Sequence, residues 1–141
     1  MWQRVTQTRR FTLDDKKFYC EATTHIITGG SLKYILAILN SKAGEFFFYR
    51  FYQGGGIKGE IKGEFLKHLP IPQITPQNQP LIQKIEDLVF QILSLTQSED
   101  YLENPQKQAK VKEYERQIDQ LVYKLYDLTD EEIKIVEEEI R

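Results

Sequence analysis

Apolar residues in the second half of the chain recur at helical spacing along two long stretches. Successive apolar positions are three or four residues apart, in the series Leu81, Ile85, Leu88, Ile92, Leu95 and in the series Val111, Tyr114, Ile118, Leu121, Leu125. This spacing is typical of helices that pack along one seam. The polar joint at residues 98–106 is short, so the pattern predicts an antiparallel hairpin of two helices.

A third, shorter helix is predicted after the hairpin. Thr129 and Glu132 have the T-x-x-E spacing of a capping box, and acidic residues in the first turn favour the helix dipole. Ile133, Val136 and Ile140 give this helix one apolar face. The hairpin keeps further apolar positions that can face another element, namely Ile82, Val89, Ile118 or Val122.

The first half of the chain combines strand and helix signals. Aromatic and β-branched residues at 18–28, followed by two glycines, predict a strand, and we expect it to pair with residues 2–7. Ser31 then suits the cap of a helix that ends at Asn40, with an apolar stripe formed by Leu32, Ile35, Leu36 and Leu39. Ser41 opens a second helix, residues 41–53, which is apolar almost all round and therefore largely buried.

A glycine-rich segment and a series of prolines follow the aromatic helix. Ile57, Ile61 and Phe65 alternate with charged residues, which predicts one or two short strands. Prolines 70, 72, 76 and 80 place a boundary near residue 75. The fold class we expect is α+β, with a small β-rich/α subdomain at residues 1–74 and a helical hairpin plus a short C-terminal helix at residues 75–141.

Length and composition fit one domain with its own core. The chain has 141 residues, of which 40% are hydrophobic, and this is enough to bury a core without disulfides or metal. Cys20 has no partner cysteine, and His25 and His68 are far apart, so the spacing of a Cys/His metal site is absent. No signal peptide or membrane span is predicted. A reducing cytoplasm fits this cysteine content, so we expect a cytoplasmic protein.

The net charge of −2 hides a strong division along the chain. Residues 1–74 hold 11 Lys or Arg against 6 Asp or Glu, a net charge of +5, whereas residues 75–141 hold 8 against 15, a net charge of −7. Such asymmetry favours a first half that faces a polyanion and a second half that is solvated or contacts a partner.

Two segments of the first half allow a functional or a structural interpretation. The aromatic residues around Arg50 resemble a base-stacking surface, but an aromatic run at helical spacing is more often core packing. The glycines of residues 54–63 permit close approach of a ligand to the main chain, and Lys58 and Lys62 bring positive charge there. The alternative is a hairpin with a lysine-rich outer edge that discourages aggregation.

No catalytic constellation is found in the sequence. We identify no NPPY motif of an adenine methyltransferase, no PD…(D/E)xK nuclease signature, no Walker P-loop and no Ser-His-Asp grouping. Asp14-Asp15 beside Lys16-Lys17 is most simply a charged turn. Cys20 and His25 would lie on opposite faces of one strand, which is unsuitable for a nucleophile and its base. The chain is therefore not expected to be a complete enzyme.

Three short segments, in this order and at this spacing, resemble a known family. They are LAILNSK at residues 36–42, LKHLPIP at residues 66–72 and IDQLVYKLYDLTDEEI at residues 118–133. The chain resembles the TaqI-like C-terminal specificity domain of type II restriction-modification enzymes and adenine-specific DNA methyltransferases, and this resemblance extends over essentially the whole sequence. The family is similar in plan to the recognition domains of type I specificity subunits.

The resemblance implies sequence-specific recognition of double-stranded DNA on behalf of a fused catalytic domain. We therefore expect the chain to be a fragment of a longer polypeptide, with the methyltransferase or nuclease domain of that parent as its second partner. No cofactor is expected in this chain, since S-adenosylmethionine and Mg²⁺ would belong to the parent's catalytic domains. The acidic hairpin would fix the orientation of the recognition subdomain relative to the catalytic domain.

Candidate DNA contacts rest on charge, side-chain type and proximity to the glycine segment, because no residue is carried over from a family motif. Phosphate contacts are predicted for Arg9, Arg10, Lys58 and Lys62. Base contacts are predicted for Arg50, Gln53 and Lys58, since Arg and Gln can bind guanine and adenine in bidentate fashion. An exposed charge or amide that keeps the domain soluble is an equal alternative for each of these residues.

A second function class fits the hairpin directly. Its heptad-like series are also typical of a helical protein-interaction or dimerisation module that does not bind DNA. The positive first half argues for DNA, because a polyanion-binding surface gains from that charge and a plain scaffold does not.

Overall fold

The protein is described here by a computed structural model, which places residues 2–3, 11–17, 19, 24–51 and 63–140. Two short strands precede the helices: β1 is Trp2–Gln3 and β2 is Thr24–His25. The α-helices in these ranges are α1 Leu32–Asn40, α2 Lys42–Phe51, α3 Gly63–Leu66, α4 Gln79–Thr96, α5 Pro105–Leu125 and α6 Asp130–Glu139. A single 3-10 turn, Tyr101–Glu103, lies between α4 and α5.

The expected α+β class with a β-rich first half is wrong, because helices dominate the described residues. The strand pairing itself is found in reduced form: β1 and β2 are antiparallel, with Trp2 opposite His25 and Gln3 opposite Thr24. Beyond His25 the predicted strand does not continue, and Ile27 packs against the helical core. Ile27 thus packs on helices, which the strand pattern alone does not distinguish from packing in a sheet.

The strands predicted in the glycine-rich segment fall partly on residues that the structure describes. Residues 52–62 lie outside the described residues. Phe65, which was assigned to a strand, lies in the short helix α3. The alternation of apolar and charged residues there was too short to separate a strand from one helical turn.

The junction between α1 and α2 consists of the single residue Ser41. Its side chain is buried, and its Oγ donates a hydrogen bond to the carbonyl of Ile38 at 2.7 Å. The same Oγ accepts the N–H of Gly44 at 3.1 Å, so Ser41 caps α2 as predicted. Asn40 closes α1, also as predicted, and its side-chain amide pairs with both backbone groups of Phe11 at 2.9 Å.

The start of α1 departs from the prediction in one detail. Ser31 occupies the cap position, but its backbone is left-handed with φ 53°, and its side chain makes no capping hydrogen bond. A side-chain cap normally requires an extended backbone at that residue, so Ser31 holds the predicted position but does not cap the helix through its side chain.

The helical hairpin is confirmed. α4 and α5 pack along each other, and the joint between them is held by Lys107, whose Nζ donates to Ser98 Oγ at 3.1 Å and also pairs with Asp100. Asn104 caps α5 by accepting the N–H of Lys107 at 3.1 Å, and Pro105 occupies the first helical position. The apolar positions predicted to face a third element, Ile82, Val89, Ile118 and Val122, are all buried, and α1 packs against α4.

One hydrophobic core joins residues from both sides of position 75. Ile38 of α1 is fully buried in the same cluster as Ile85 of α4 and Val122 of α5. Two tyrosines fix the proline segment to this core: Tyr34 donates to the carbonyl of Pro72 and Tyr126 to that of Pro70, each at 2.8 Å. The division at residue 75 into two functional parts stays a prediction.

The C-terminal helix α6 has the predicted capping box. Thr129 Oγ1 accepts the N–H of Glu132 at 3.3 Å, and the Glu132 carboxylate accepts the N–H of Thr129 at 2.8 Å. Val136 is buried and Ile133 packs against the core, so α6 is docked on the rest of the protein. Within the part of the chain that the structure describes, no helix is long and apolar enough to cross a bilayer.

Candidate nucleic-acid interface

Arg50 is the predicted DNA-contacting residue that falls within the described ranges. Arg9, Arg10, Gln53, Lys58 and Lys62 lie outside the described residues, so their assignments stay predictions. Arg50 stands in the last turn of α2, where a cation favours the helix dipole.

The guanidinium of Arg50 forms an ion pair with the carboxylate of Glu139 on α6. The two residues are 89 positions apart in sequence. The side chain of Arg50 remains 50% exposed and that of Glu139 30% exposed. The pair therefore lies at the protein surface, where a polyanion could reach the guanidinium.

A second cation of α2 is paired with the same acidic helix. Lys42 Nζ lies 3.5 Å from Glu137 Oε1, and both side chains are partly exposed. The backbone N–H of Lys42 donates to Asp119 Oδ1 of α5 at 2.9 Å, which caps the first turn of α2 from outside that helix. We call Lys42 and Arg50, with the surface of α2 between them, the cationic edge of α2.

Burial governs the ionisation of Asp119 beneath this edge. Desolvation raises the pKa of the Asp119 carboxyl to about 6, although the hydrogen bond from Lys42 acts in the opposite direction. The negative charges of Glu115 and Glu137 raise the pKa further. Lys42 thus contacts two carboxyl groups, that of Asp119 through its backbone N–H and that of Glu137 through its Nζ.

The aromatic side chains of α2 fix the orientation of the cationic edge. Phe48 is buried and stacks on Phe11 with ring centroids 5.7 Å apart, and Phe47 contacts Tyr126 at 5.5 Å. Phe46 also packs against the core. For these three phenylalanines the packing interpretation is confirmed, whereas Tyr49, next to Arg50, is exposed.

Among the other basic residues that the structure describes before residue 75, Lys16, Lys17 and Lys67 are exposed and Lys33 is half-buried. Lys16 and Lys17 form a turn in which the N–H of Lys16 donates to Asp14 Oδ1 at 2.8 Å, as the sequence predicted for a charged turn. Lys67 lies 3.5 Å from Glu64, and Lys33 lies over the ring of Phe90 at 5.1 Å. Lys67 was not among the predicted DNA contacts.

The described residues contain no cluster of three His, Cys, Asp or Glu side chains that could bind a metal ion. The chemistry present in these ranges consists of cations, carboxylates and backbone groups at a surface.

Comparison with known protein families decides the class of the chain. The family described as the TaqI-like C-terminal specificity domain matches residues 1–71. The chain belongs to this family. The match contains both strands and helices α1 to α3, and therefore the whole cationic edge of α2.

The match to the specificity-domain family ends at residue 71, before the hairpin of α4 and α5. The segment IDQLVYKLYDLTDEEI at residues 118–133, on which the resemblance also rested, lies beyond the matched residues. Searches among curated proteins and among solved structures gave no match. A specificity domain of restriction-modification enzymes is not itself catalytic, which agrees with the expectation for this chain.

Proposed function

We propose that this chain recognises a specific sequence of double-stranded DNA and delivers that site to a methyltransferase or nuclease domain of its parent enzyme. The observation that carries the proposal is the family match over residues 1–71, which coincides with the positively charged part of the sequence. Affinity would come largely from phosphate contacts and specificity from base edges.

The cationic edge of α2 supports a role in this recognition. Arg50 is half exposed at the end of a helix whose orientation is fixed by buried aromatic side chains. A guanidinium held on a rigid helix can offer two parallel N–H donors to guanine. Arg50 is therefore our candidate for base contact among the described residues, with Gln53 and Lys58 following it in sequence.

The proposal is tested by fluorescence anisotropy with labelled mixed-sequence duplex DNA at low and at moderate salt. We expect binding that weakens as salt rises, because phosphate-bound cations release counterions. The Lys58→Ala/Lys62→Ala double variant should bind more weakly. The matched control is Lys112→Ala/Lys124→Ala, which removes the same charge from exposed positions of α5 and should leave affinity nearly unchanged.

Absence of binding by the wild-type chain at low salt would contradict the proposal for this chain. Equal weakening by the two double variants would show attraction by overall charge and would remove the Lys58 and Lys62 assignments.

Docking onto another protein is a second function that one observation favours. The hairpin exposes two large apolar side chains, Phe90 at 59% and Leu102 at 83%, whereas its buried seam is already covered within the chain. We propose the parent's catalytic domain as the partner of these exposed side chains. A dimerisation module without DNA binding would instead give a dimer in sedimentation equilibrium and no anisotropy change with DNA.

A further inference from the structure

The acidic helix α6 and the cationic edge of α2 contact each other through two ion pairs. Glu137 pairs with Lys42 and Glu139 with Arg50, one near each end of α2. The two helices also pack against each other, and Val136, which directly precedes Glu137 in sequence, is buried. The acidic side chains are thus held beside the cations by a docked helix.

Helix stability does not explain the position of these acids. α6 carries six acidic residues and one lysine, and its last turn contains Glu137, Glu138 and Glu139 with no basic residue. Negative charge in the last turn opposes the helix dipole, in contrast to the acids of the first turn, which favour it. The two terminal glutamates that reach α2 gain an ion pair that offsets this unfavourable placement.

We propose that Glu137 and Glu139 compete with DNA for Lys42 and Arg50, so that α6 lowers the DNA affinity of the domain. The inference rests on the proposed DNA-binding function and adds two acidic residues to the determinants of affinity. A phosphate and a glutamate carboxylate present the same kind of charge to a guanidinium or ammonium group. DNA that contacts this edge must therefore replace the carboxylates.

The strength of the contact suits such an exchange. Both ion pairs are at the surface, where a pair adds little to stability and is screened by salt. DNA can break them without unfolding α6, because the helix is held by Val136 and Ile133 and by its capping box. The remaining negative charge of α6 would still repel phosphates at short range.

The test compares the full chain with its Glu137→Gln/Glu139→Gln variant in DNA binding. We expect the variant to bind mixed-sequence duplex DNA about two- to tenfold more tightly at low salt, since each lost surface pair frees one cation. The slope of log affinity against log salt should become steeper by about 1 to 2, because each freed cation can neutralise a phosphate and so release a counterion from the DNA. A purely structural role of the glutamates would not change this slope.

The matched control is Glu99→Gln/Glu103→Gln, which removes the same charge from exposed positions near the tip of the hairpin. This control should leave both the DNA affinity and the salt slope nearly unchanged. The single variant Glu139→Gln keeps the contact of Glu137 with Tyr123, 3.4 Å away, and should give part of the gain. It serves as the second variant if the double variant is poorly folded.

Affinity and salt slope equal to those of the control would overturn the competition while leaving DNA binding intact. Failure of every protein, wild type included, to bind at low salt would overturn the proposed function and this inference with it. Tighter binding with a steeper slope in the Glu137 and Glu139 variants alone would support the competition.

Discussion

At the scale of single residues, Asp119 shows how burial and hydrogen bonding oppose each other. Its carboxylate caps α2 through the N–H of Lys42, yet burial raises its pKa from 3.8 to about 6. A carboxyl group whose pKa is higher in the folded state stabilises the fold when it is protonated. This contribution is complete below the unfolded value of 3.8 and is lost as the pH rises through 6.

Asp119→Asn should therefore stabilise the protein at neutral pH. The amide oxygen can still accept the N–H of Lys42, and the buried charge is gone. We expect the free energy of unfolding to rise by about 1–2 kcal/mol at neutral pH, less than the full pKa shift implies because the site is partly solvated. Urea denaturation at several pH values from acidic to neutral measures this free energy of unfolding. Asp15→Asn, at an exposed position, is the control. An unchanged pH dependence in Asp119→Asn would contradict the pKa assignment.

At the scale of elements, the fold depends on the sharp connection between α1 and α2. With Ser41 as the only linking residue, the first turn of α2 lies against the last turn of α1. A Cβ atom on Gly44 would be 2.1 Å from the carbonyl oxygen of Ile38, a contact that real side chains do not make. Gly44 is thus required for this close approach of backbone to backbone.

Gly44→Ala should cost about 2–3 kcal/mol of stability, because the backbone must shift in a packed region. Thermal unfolding with chemical denaturation measures the loss. Gly30→Ala is the matched control, since no atom lies within 4 Å of its Cβ position, and little change is expected there. A Gly44→Ala protein as stable as the wild type would show that α1 and α2 can separate at no cost.

Element prediction from the sequence succeeded where the signal was local and long. The apolar series of α4 and α5, the end of α1 at Asn40 and the capping box of α6 were all identified from spacing. The strand at residues 18–28 was overestimated, because β-branched residues such as Ile27 pack equally well against helices. Ser31 makes no side-chain cap because its backbone is left-handed. No local sequence pattern predicted that backbone conformation.

The candidate site could be predicted from the sequence only in part. Charge division and side-chain type singled out Arg50 from the sequence. Its partner Glu139 is 89 residues away, on a helix that reaches α2 only in the folded core. Pairing at such a distance depends on tertiary packing, so sequence patterning could not indicate that the candidate base-reading residue is already paired with an acid.

At the scale of the whole molecule, the hydrophobic core includes many residues beyond those matched by the family. The match ends at residue 71, yet side chains from α4, α5 and α6 complete the core around α1 and α2. Tyr126 of the C-terminal part also holds the carbonyl of Pro70 inside the matched region. The helices after residue 75 therefore support the specificity domain as well as any docking role they have.

A fragment of residues 1–74 should accordingly fail to fold cooperatively. It would expose Ile38 and Tyr34, which lie buried against the later helices in the full chain, and it lacks a core of sufficient size. Circular dichroism during heating should show no sigmoidal transition, in contrast to the full chain under the same conditions. A cooperative transition in the fragment would contradict the single-core account.

The central claim is that this chain reads a DNA sequence, and selection from a randomised duplex library tests it most directly. The full chain would be incubated at low salt with the library and an excess of unrelated duplex competitor, and bound DNA would be sequenced over successive rounds. The account predicts enrichment of one short motif, with Arg50→Ala relaxing the preference at a single base pair. Salt-sensitive binding without any enriched motif, or no bound DNA at all, would contradict it.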